Sequence, residues 1–258
     1  ISGDGFFVVS NKGAGLTASD PRSFTRQGSF SVDPNGYLRN DAGLFLQGWP
    51  VQTDGTFIAN PSDLSAMQSI NVKNLGAAVS PTTTIGVTAN LDKFDAAQPD
   101  PIDVNVIDAA GGKHTLRMAF TRGAVNTWTM ALTVQPTPAD ATITPGPTGI
   151  PVTFNTDGSI NQINGAAPSA FTANVAWAAS LGLPAQSIAI DLTKVTQFDE
   201  PSALGAIRQN GAGAGNVVAI EVDEDGVVSA VYDNSQVRKV AKVGLATFPN
   251  ADGLAQVS

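Results

Sequence analysis

The sequence predicts an all-β fold, and three observations carry that reading. Glycine and proline are abundant, at 26 and 16 residues, and inside a helix they cost about 1 and about 3 kcal/mol each. Short runs of β-branched and aromatic residues recur along the chain, and such residues suit a half-buried pleated surface. Between the runs stand Asp or Asn with Gly, which supply the positive φ that hairpin turns require. The 42% apolar content is enough for a packed core, so wholesale disorder is not expected.

Taken in chain order, the first hairpin is Phe30-Ser31-Val32, which turns through Asp33-Pro34-Asn35-Gly36 and returns as Tyr37-Leu38-Arg39. Ser80-Pro81-Thr82-Thr83-Thr84 reads as a short extended connector. Asp108 through Gly111, Gly112 and Lys113 to Arg117 reads as a strand, a turn and a returning strand, with His114 just past the turn. Gln135 to Pro151 lacks periodicity, and its prolines favour an extended, polyproline-like loop. Val152-Thr153-Phe154, the turn Asn155 to Gly158 and Ser159-Ile160 form the next hairpin. Pro168 to Leu183 is Ala-rich and is the best helical candidate, yet Phe171, Val175 and Trp177 would serve a strand equally well, and both readings stand. The last hairpin runs from Val217 to Val222, turns at Asp223-Glu224-Asp225-Gly226 and returns from Val227 to Tyr232.

Composition shifts near Ile70 and again near Gln197. The outer segments hold most of the Gly-Phe and Asp-Gly signals, while the middle is rich in Thr, Val and Ala. That pattern fits two β-domains. One is discontinuous, built from residues 1–68 plus 199–258 at both chain ends, and residues 69–198 form a β-barrel or sandwich-like domain inserted into it.

The formal net charge is -8 over 258 residues. Binding nucleic acid requires a basic stripe, and the 14 Lys and Arg are scattered. Neither nucleic acid nor an anionic membrane is an expected partner. With no cysteine, disulfides, thiolate metal sites and cysteine nucleophiles are excluded together. No apolar run reaches the roughly 18 residues of a membrane helix. Ile1-Ser2-Gly3-Asp4 has no basic n-region of a signal peptide, and opening on Ile rather than Met suggests a piece of something longer.

Four features invite chemistry, and each has a plainer reading. The single histidine, His114, would need a nucleophile and an orienting carboxylate to form a triad; a strand-end imidazole bonded to backbone is the expectation. Asp223, Asp225 and Gly226 resemble part of a calcium loop, but Glu221 stands at the first position and Tyr232 where the bidentate Glu belongs. A hairpin turn is expected there, as at Asp33 and Asp157. Gly211-Ala-Gly213-Ala-Gly215 precedes a strand and not a helix, so it cannot hold a pyrophosphate at a helix N-terminus. Trp49, Trp128 and Trp177 invite a sugar-binding platform, and core packing is the expectation for at least two of them. No catalytic, cofactor-binding or metal residue is assigned, and no cofactor is expected.

The ends of the chain carry a family resemblance. Gly3-Asp-Gly5-Phe6-Phe7, Phe24-Thr-Arg26-Gln-Gly28-Ser-Phe30, Asp33-Pro-Asn-Gly36-Tyr-Leu38, Gly43 and Gly48 resemble, in order, the pattern of the flagellar rod and hook family. Gly215 to Ile220, Asp225-Gly226-Val-Val, Tyr232 to Asn234, Val243 to Asn250 and Gly253-Leu254 resemble the same family's returning half. The family often has Ser-Asn-Gly where this chain has Asp233-Asn234-Ser235. In the middle, Val104 to Asp108, Gly111, His114, Leu116, Phe120, Trp128 and Thr196-Gln197-Phe198 are similar to the inserted domain of hook proteins. A long insert favours hook over rod.

The resemblance implies a structural, non-enzymatic subunit outside the cell, in the hook and basal body of the bacterial flagellum, exported without a cleaved signal. It implies a helical homopolymer of the full-length protein, whose neighbours are rod, hook-cap and hook-filament junction proteins. The end-derived domain is then the inner wall and the insert lies outside it. The fragment alone, without the family's terminal helices, is expected to be monomeric. A distal rod protein and an extracellular β-rich binding or adhesin module are the alternatives, with a hydrolase built on a carboxylate pair as a further rival.

Overall fold

The computed structural model describes residues 5–52, 54–57, 60, 63–73, 75–94, 98–135, 141–168 and 170–250. The regular elements among them are strands, apart from single 3-10 turns at Leu64–Ala66 and Ala179–Leu181. The chain divides into two compact units, residues 1–78 with 215–258, and residues 79–214. The first six strands are β1 (Phe6–Ser10), β2 (Ser23–Thr25), β3 (Ser31–Val32), β4 (Leu38–Arg39), β5 (Phe45–Pro50) and β6 (Gln68–Ser69). After β7 (Ala78–Ser80) come β8 (Thr84–Asn90), β9 (Ile102–Ile107), β10 (Lys113–Arg122), β11 (Thr127–Gln135), β12 (Ala141–Thr144), β13 (Ile150–Phe154) and β14 (Ile160–Ile163). β15 (Phe171–Trp177), β16 (Gln186–Thr196) and β17 (Ala203–Gln209) complete the second unit. The chain returns through β18 (Ala212–Gly215) and ends in β19 (Val217–Val222), β20 (Val227–Tyr232), β21 (Val237–Val243) and β22 (Leu245–Ala246).

In the first unit one sheet runs β19-β20-β21-β5-β1-β2, with β22 also on β1, and β4 and β6 also on β5. Early and late strands are thus interleaved, and β21 joins β5 through Ala241↔Pro50 and Val243↔Gly48. β1 and β22 are antiparallel partners through Phe6↔Ala246, so the chain enters and leaves this unit side by side. Ile1 and Ser258 themselves lie outside the described residues. Burial here is split. One cluster gathers Leu38, Leu46, Ile70, Val228, Tyr232 and Val243; another holds Val8, Trp49 and Met67. Edge-to-face rings add specific contacts at Phe7–Phe30, 5.4 Å, and Tyr37–Phe45, 5.5 Å between centroids, geometry that aromatic quadrupoles favour. The first hairpin turns where expected, with Gly36 at φ +88 and its N–H donating to the Asp33 carbonyl at 2.9 Å. A Cβ at Gly36 would run into Lys73 and meet its backbone nitrogen at 2.7 Å.

The second unit is built from two five-stranded sheets, β14-β13-β11-β10-β9 and β12-β15-β16-β8-β17. Period-two alternation explains its core: Leu116, Met118 and Phe120 on β10 are buried, as are Trp128, Met130, Leu132 and Val134 on β11. The antiparallel register sets Leu116↔Val134, Met118↔Leu132 and Phe120↔Met130 directly opposite. Ile85, Val87, Val175, Ile188, Ile190 and Leu192 of the other sheet join the same continuous cluster. β8 sits between β16, its parallel partner, and β17, its antiparallel one.

Three local expectations change. The return to the first unit falls after Ala214 rather than at 198/199, because β17 pairs along β8 from Ala203↔Asn90 to Gln209↔Ile85. On the outward side Ile70 and Val72 belong to the first core. The stretch 135–151 is not all loop: β12 pairs β15 through Ala141↔Trp177, and 136–140 lie outside the described residues. Of the two readings of 168–183, the structure takes the strand, β15, followed by the turn at Ala179–Leu181.

Candidate interaction surfaces

His114 sits at the start of β10, but its partner is not backbone. Its Nε2 lies 2.7 Å from Oδ2 of Asp108, and its ring centroid is 4.2 Å from that of Trp177 on β15. Sequence spacing cannot show this contact, because Trp177 arrives from the other sheet. Asp108 also accepts from the N–H groups of Ala110 at 2.7 Å and Gly112 at 2.9 Å, so the carboxylate closes the β9–β10 turn. Burial pushes its pKa up, and the His114 bond with the two backbone donors outweighs this and holds it below the usual carboxylate value. The imidazole and carboxylate join a turn to the aromatic face of the opposite sheet.

The other acidic turns use their carboxylates in the same way. Asp223 accepts from the N–H of Asp225 at 3.0 Å and Val227 at 2.8 Å, Asp33 from Asn35 and Tyr37, and Asp157 from Ser159. These are Asx turns. No group of three or more potential metal ligands occurs among the described residues. The glycine run 211–215 is largely strand, β18, and leads straight into β19. Trp49, Trp128 and Trp177 are all buried, in two different clusters, which removes the sugar-platform reading. Among the described residues three cavities present one carboxylate each, Asp33, Asp100 and Asp191, and no acid pair of the kind a hydrolase uses.

What remains exposed is surface for contact. Among the described residues β19 ends the sheet of the first unit and is paired by β20 alone, with Val218 63% and Val222 53% exposed. Beside it a groove of about 560 Å³ is lined by Phe30, Val32, Leu46, Val72, Val218 and Ile220, among others. β3, paired only with β4, contributes Val32. Among the described residues, two strand edges without a further partner therefore border one apolar slot. In the second unit Val125, on the turn between β10 and β11, is 79% exposed. Neither feature was singled out from the sequence, although the unbroken apolar run Val217 to Ile220 and an Ala-Val pair in a turn were the available signals. No helix among the described residues is long and apolar enough to cross a membrane.

Both units match known domain families. The model for the flagellar basal body protein FlaE D2 domain matches residues 74–212, and that for the flagellar hook protein FlgE/F/G D1 domain matches residues 1–87. Among curated proteins, the flagellar hook protein FlgE of Caulobacter vibrioides is 28% identical over 100% of this chain and 73% of its own length. The Escherichia coli hook protein is 27% identical over 99% of this chain and 62% of its own length, and that of Treponema pallidum is 29% identical over 98% and 63%. The chain thus spans somewhat under two thirds of the length of the latter two. A crystal structure of the Helicobacter pylori flagellar hook protein FlgE2 shares the fold, with TM-score 0.53 and 14% identity over 99% of this chain and 90% of that one. With one family model covering more than half of its residues and the other its N-terminal third, the chain belongs to the flagellar hook protein family.

Proposed function

We propose that the chain is the structural subunit of the flagellar hook, which assembles with copies of itself into the flexible tube that passes torque from rod to filament. The observation that supports this best is family membership extending over both compact units. The first unit builds the tube wall, and the second tunes its curvature and stiffness. Bending needs contacts that slide or exchange at small free-energy differences, and small, polar, wet interfaces allow this where large apolar ones resist it. The subunit works outside the cell, exported without a cleaved signal, and meets rod, hook-cap and hook-filament junction proteins at the tube's two ends. It carries no catalytic activity, and His114 is structural.

Complementation tests the reading. A strain lacking its own hook protein and supplied with the full-length chain should form curved hooks and regain motility, scored by electron microscopy and swarming. Basal bodies that end without hooks overturn the proposal, and straight, short extensions point to a distal rod subunit instead. Replacing residues 83–209 with a short Gly/Ser linker should leave the first unit folded by circular dichroism and permit tube growth with altered curvature. Pairing of β7 with β18 keeps the two ends of that excision adjacent, and loop closure then costs little. The 258-residue chain alone should sediment as a monomer near 26.4 kDa at micromolar concentration.

A further inference from the structure

Where the chain passes into and out of the second unit, the two segments are held together by side chains. β17 pairs along β8 as far as Gln209↔Ile85. One residue further on, Asn210 Oδ1 accepts from the N–H groups of both Thr83 and Thr84 at 2.9 Å each. Its Nδ2 donates to Thr83 Oγ1 at 2.7 Å. The side-chain amide thus takes the place of a backbone partner where the chain turns away at Gly211. A Cβ on Gly211 would collide with Thr82 Oγ1 and lie 3.0 Å from the Thr82 nitrogen, so the turn needs glycine.

Thr82 carries the closure inward. It is fully buried, and its hydroxyl donates to Gln209 Oε1 at 3.1 Å and accepts from the Ile107 N–H at 2.9 Å. Its own N–H donates to the Ile107 carbonyl at 3.0 Å. Gln186 Nε2, at the start of β16, donates to the carbonyls of Thr82 and Ile107 at 2.7 and 2.9 Å. Ile107 ends β9 in one sheet, whereas Gln186 and Gln209 belong to the other. The same bonds therefore join the two sheets. A buried polar network rigidifies a fold and specifies one arrangement when its donors are paired, as those of Thr82 and Gln186 are.

Thr82, Thr83, Gln186, Gln209 and Asn210 are all uncharged. The charged residues beside them on these strands and the β9–β10 turn, Asp108, Lys113, His114 and Arg208, take no part in the bonds named above. An ion pair at this place would loosen in salt or acid, and amide and hydroxyl bonds would not. We propose that these residues form a neutral clasp that holds the entry and exit segments of the second unit together across changes of pH and ionic strength, with Asn210 as its pin. It differs in this from the adjoining Asp108 turn, whose hold follows the protonation of a carboxylate. The clasp acts within one chain and stands whether or not copies assemble into a tube.

Hydrogen exchange read residue by residue on the 258-residue chain tests this. The N–H groups of Thr83 and Thr84 report the clasp, and those of Ala110 and Gly112 report the Asp108 turn. Protection at Thr83 and Thr84, corrected for intrinsic exchange, should stay level through the acidic range in which Ala110 and Gly112 lose theirs, and should not change with salt. Asn210→Ala, at an exposed position, should lower it about tenfold or more while the amides of Leu116 and Leu132 in the core keep theirs. Asn210→Asp keeps the acceptor oxygen but makes it ionisable, so protection should persist at neutral pH and fall on acidification. Wild-type Thr83 and Thr84 that lose protection in acid together with Gly112, protection that falls in salt, or an Asn210→Ala chain whose two amides exchange at the wild-type rate would each overturn the inference. The hook reading is decided separately, by complementation.

Discussion

The two units reach stability differently. The second packs both of its sheets around one continuous apolar cluster, so any one side chain leans on many others. The first divides its burial between two smaller clusters and relies on particular devices: ring pairs such as Phe7–Phe30, Asx turns at Asp33 and Asp223, and glycines placed where no Cβ fits. One therefore tolerates variation as long as the alternation is kept, while the other tolerates little at a few positions. That is why the first unit carries a recognisable motif and the second carries mainly a pattern.

The largest test of this difference is Leu132→Ala, at a side chain with 0% exposure in the second core. It should cost roughly 2–5 kcal/mol, and hydrogen exchange should accelerate across residues 79–214 with little change elsewhere. Equal acceleration in both units would show a single cooperative block and end the comparison. Gly36→Ala comes next, combining φ +88 with the collision at Lys73. Strain and overpacking together should cost roughly 3 kcal/mol, confined to the first unit; a neutral result would mean that its turns are as forgiving as the second unit's surface.

Asp108 sharpens the picture from the other side. Its carboxyl is held below the ordinary value, so its contribution is fully present above the unfolded-state value and is lost as pH falls through the folded one. Thermal melts should show the second unit weakening in that acidic range, and Asp108→Asn should remove the dependence while costing roughly 2 kcal/mol at neutral pH. A variant with an unchanged acid profile would rule this out. The smallest effect belongs to Arg117, whose Nε and Nη2 reach the Asp103 carboxylate at 2.7 Å each with both side chains about two-fifths exposed. Arg117→Ala should destabilise least of the four, read as a small downward shift in the melting midpoint that vanishes in high salt.

The turns were legible because Asp or Asn with Gly fixes local geometry within four residues, as at Asp33–Gly36 and Asp223–Gly226. The β10–β11 pair was legible because a period of two survives along Leu116 to Val134. β17 was not, since Ala203 to Gln209 is an edge strand, largely exposed, and shows no apolar face to read. Its parallel-flanked partner β8 is fixed by residues about a hundred positions away in β16, a pairing that no local pattern announces. Likewise the turn after Asp108 placed His114 at a strand start, but the Asp108 and Trp177 contacts depend on how one sheet faces the other. The slot and the Val125 tip escaped because they are defined by missing neighbours.

Among the described residues β1 and β22 meet over two registered pairs, Phe6↔Ala246 and Phe7↔Leu245, and the second unit is threaded through β7 and β18, which are themselves partners. Tension applied between the two ends of the chain would therefore peel a short zipper first, one bond at a time. The whole 79–214 stretch would hang off the load path as a closed loop. Traction on the ends would be felt and released by the first unit alone, and the thick core of the second would be spared mechanical fatigue.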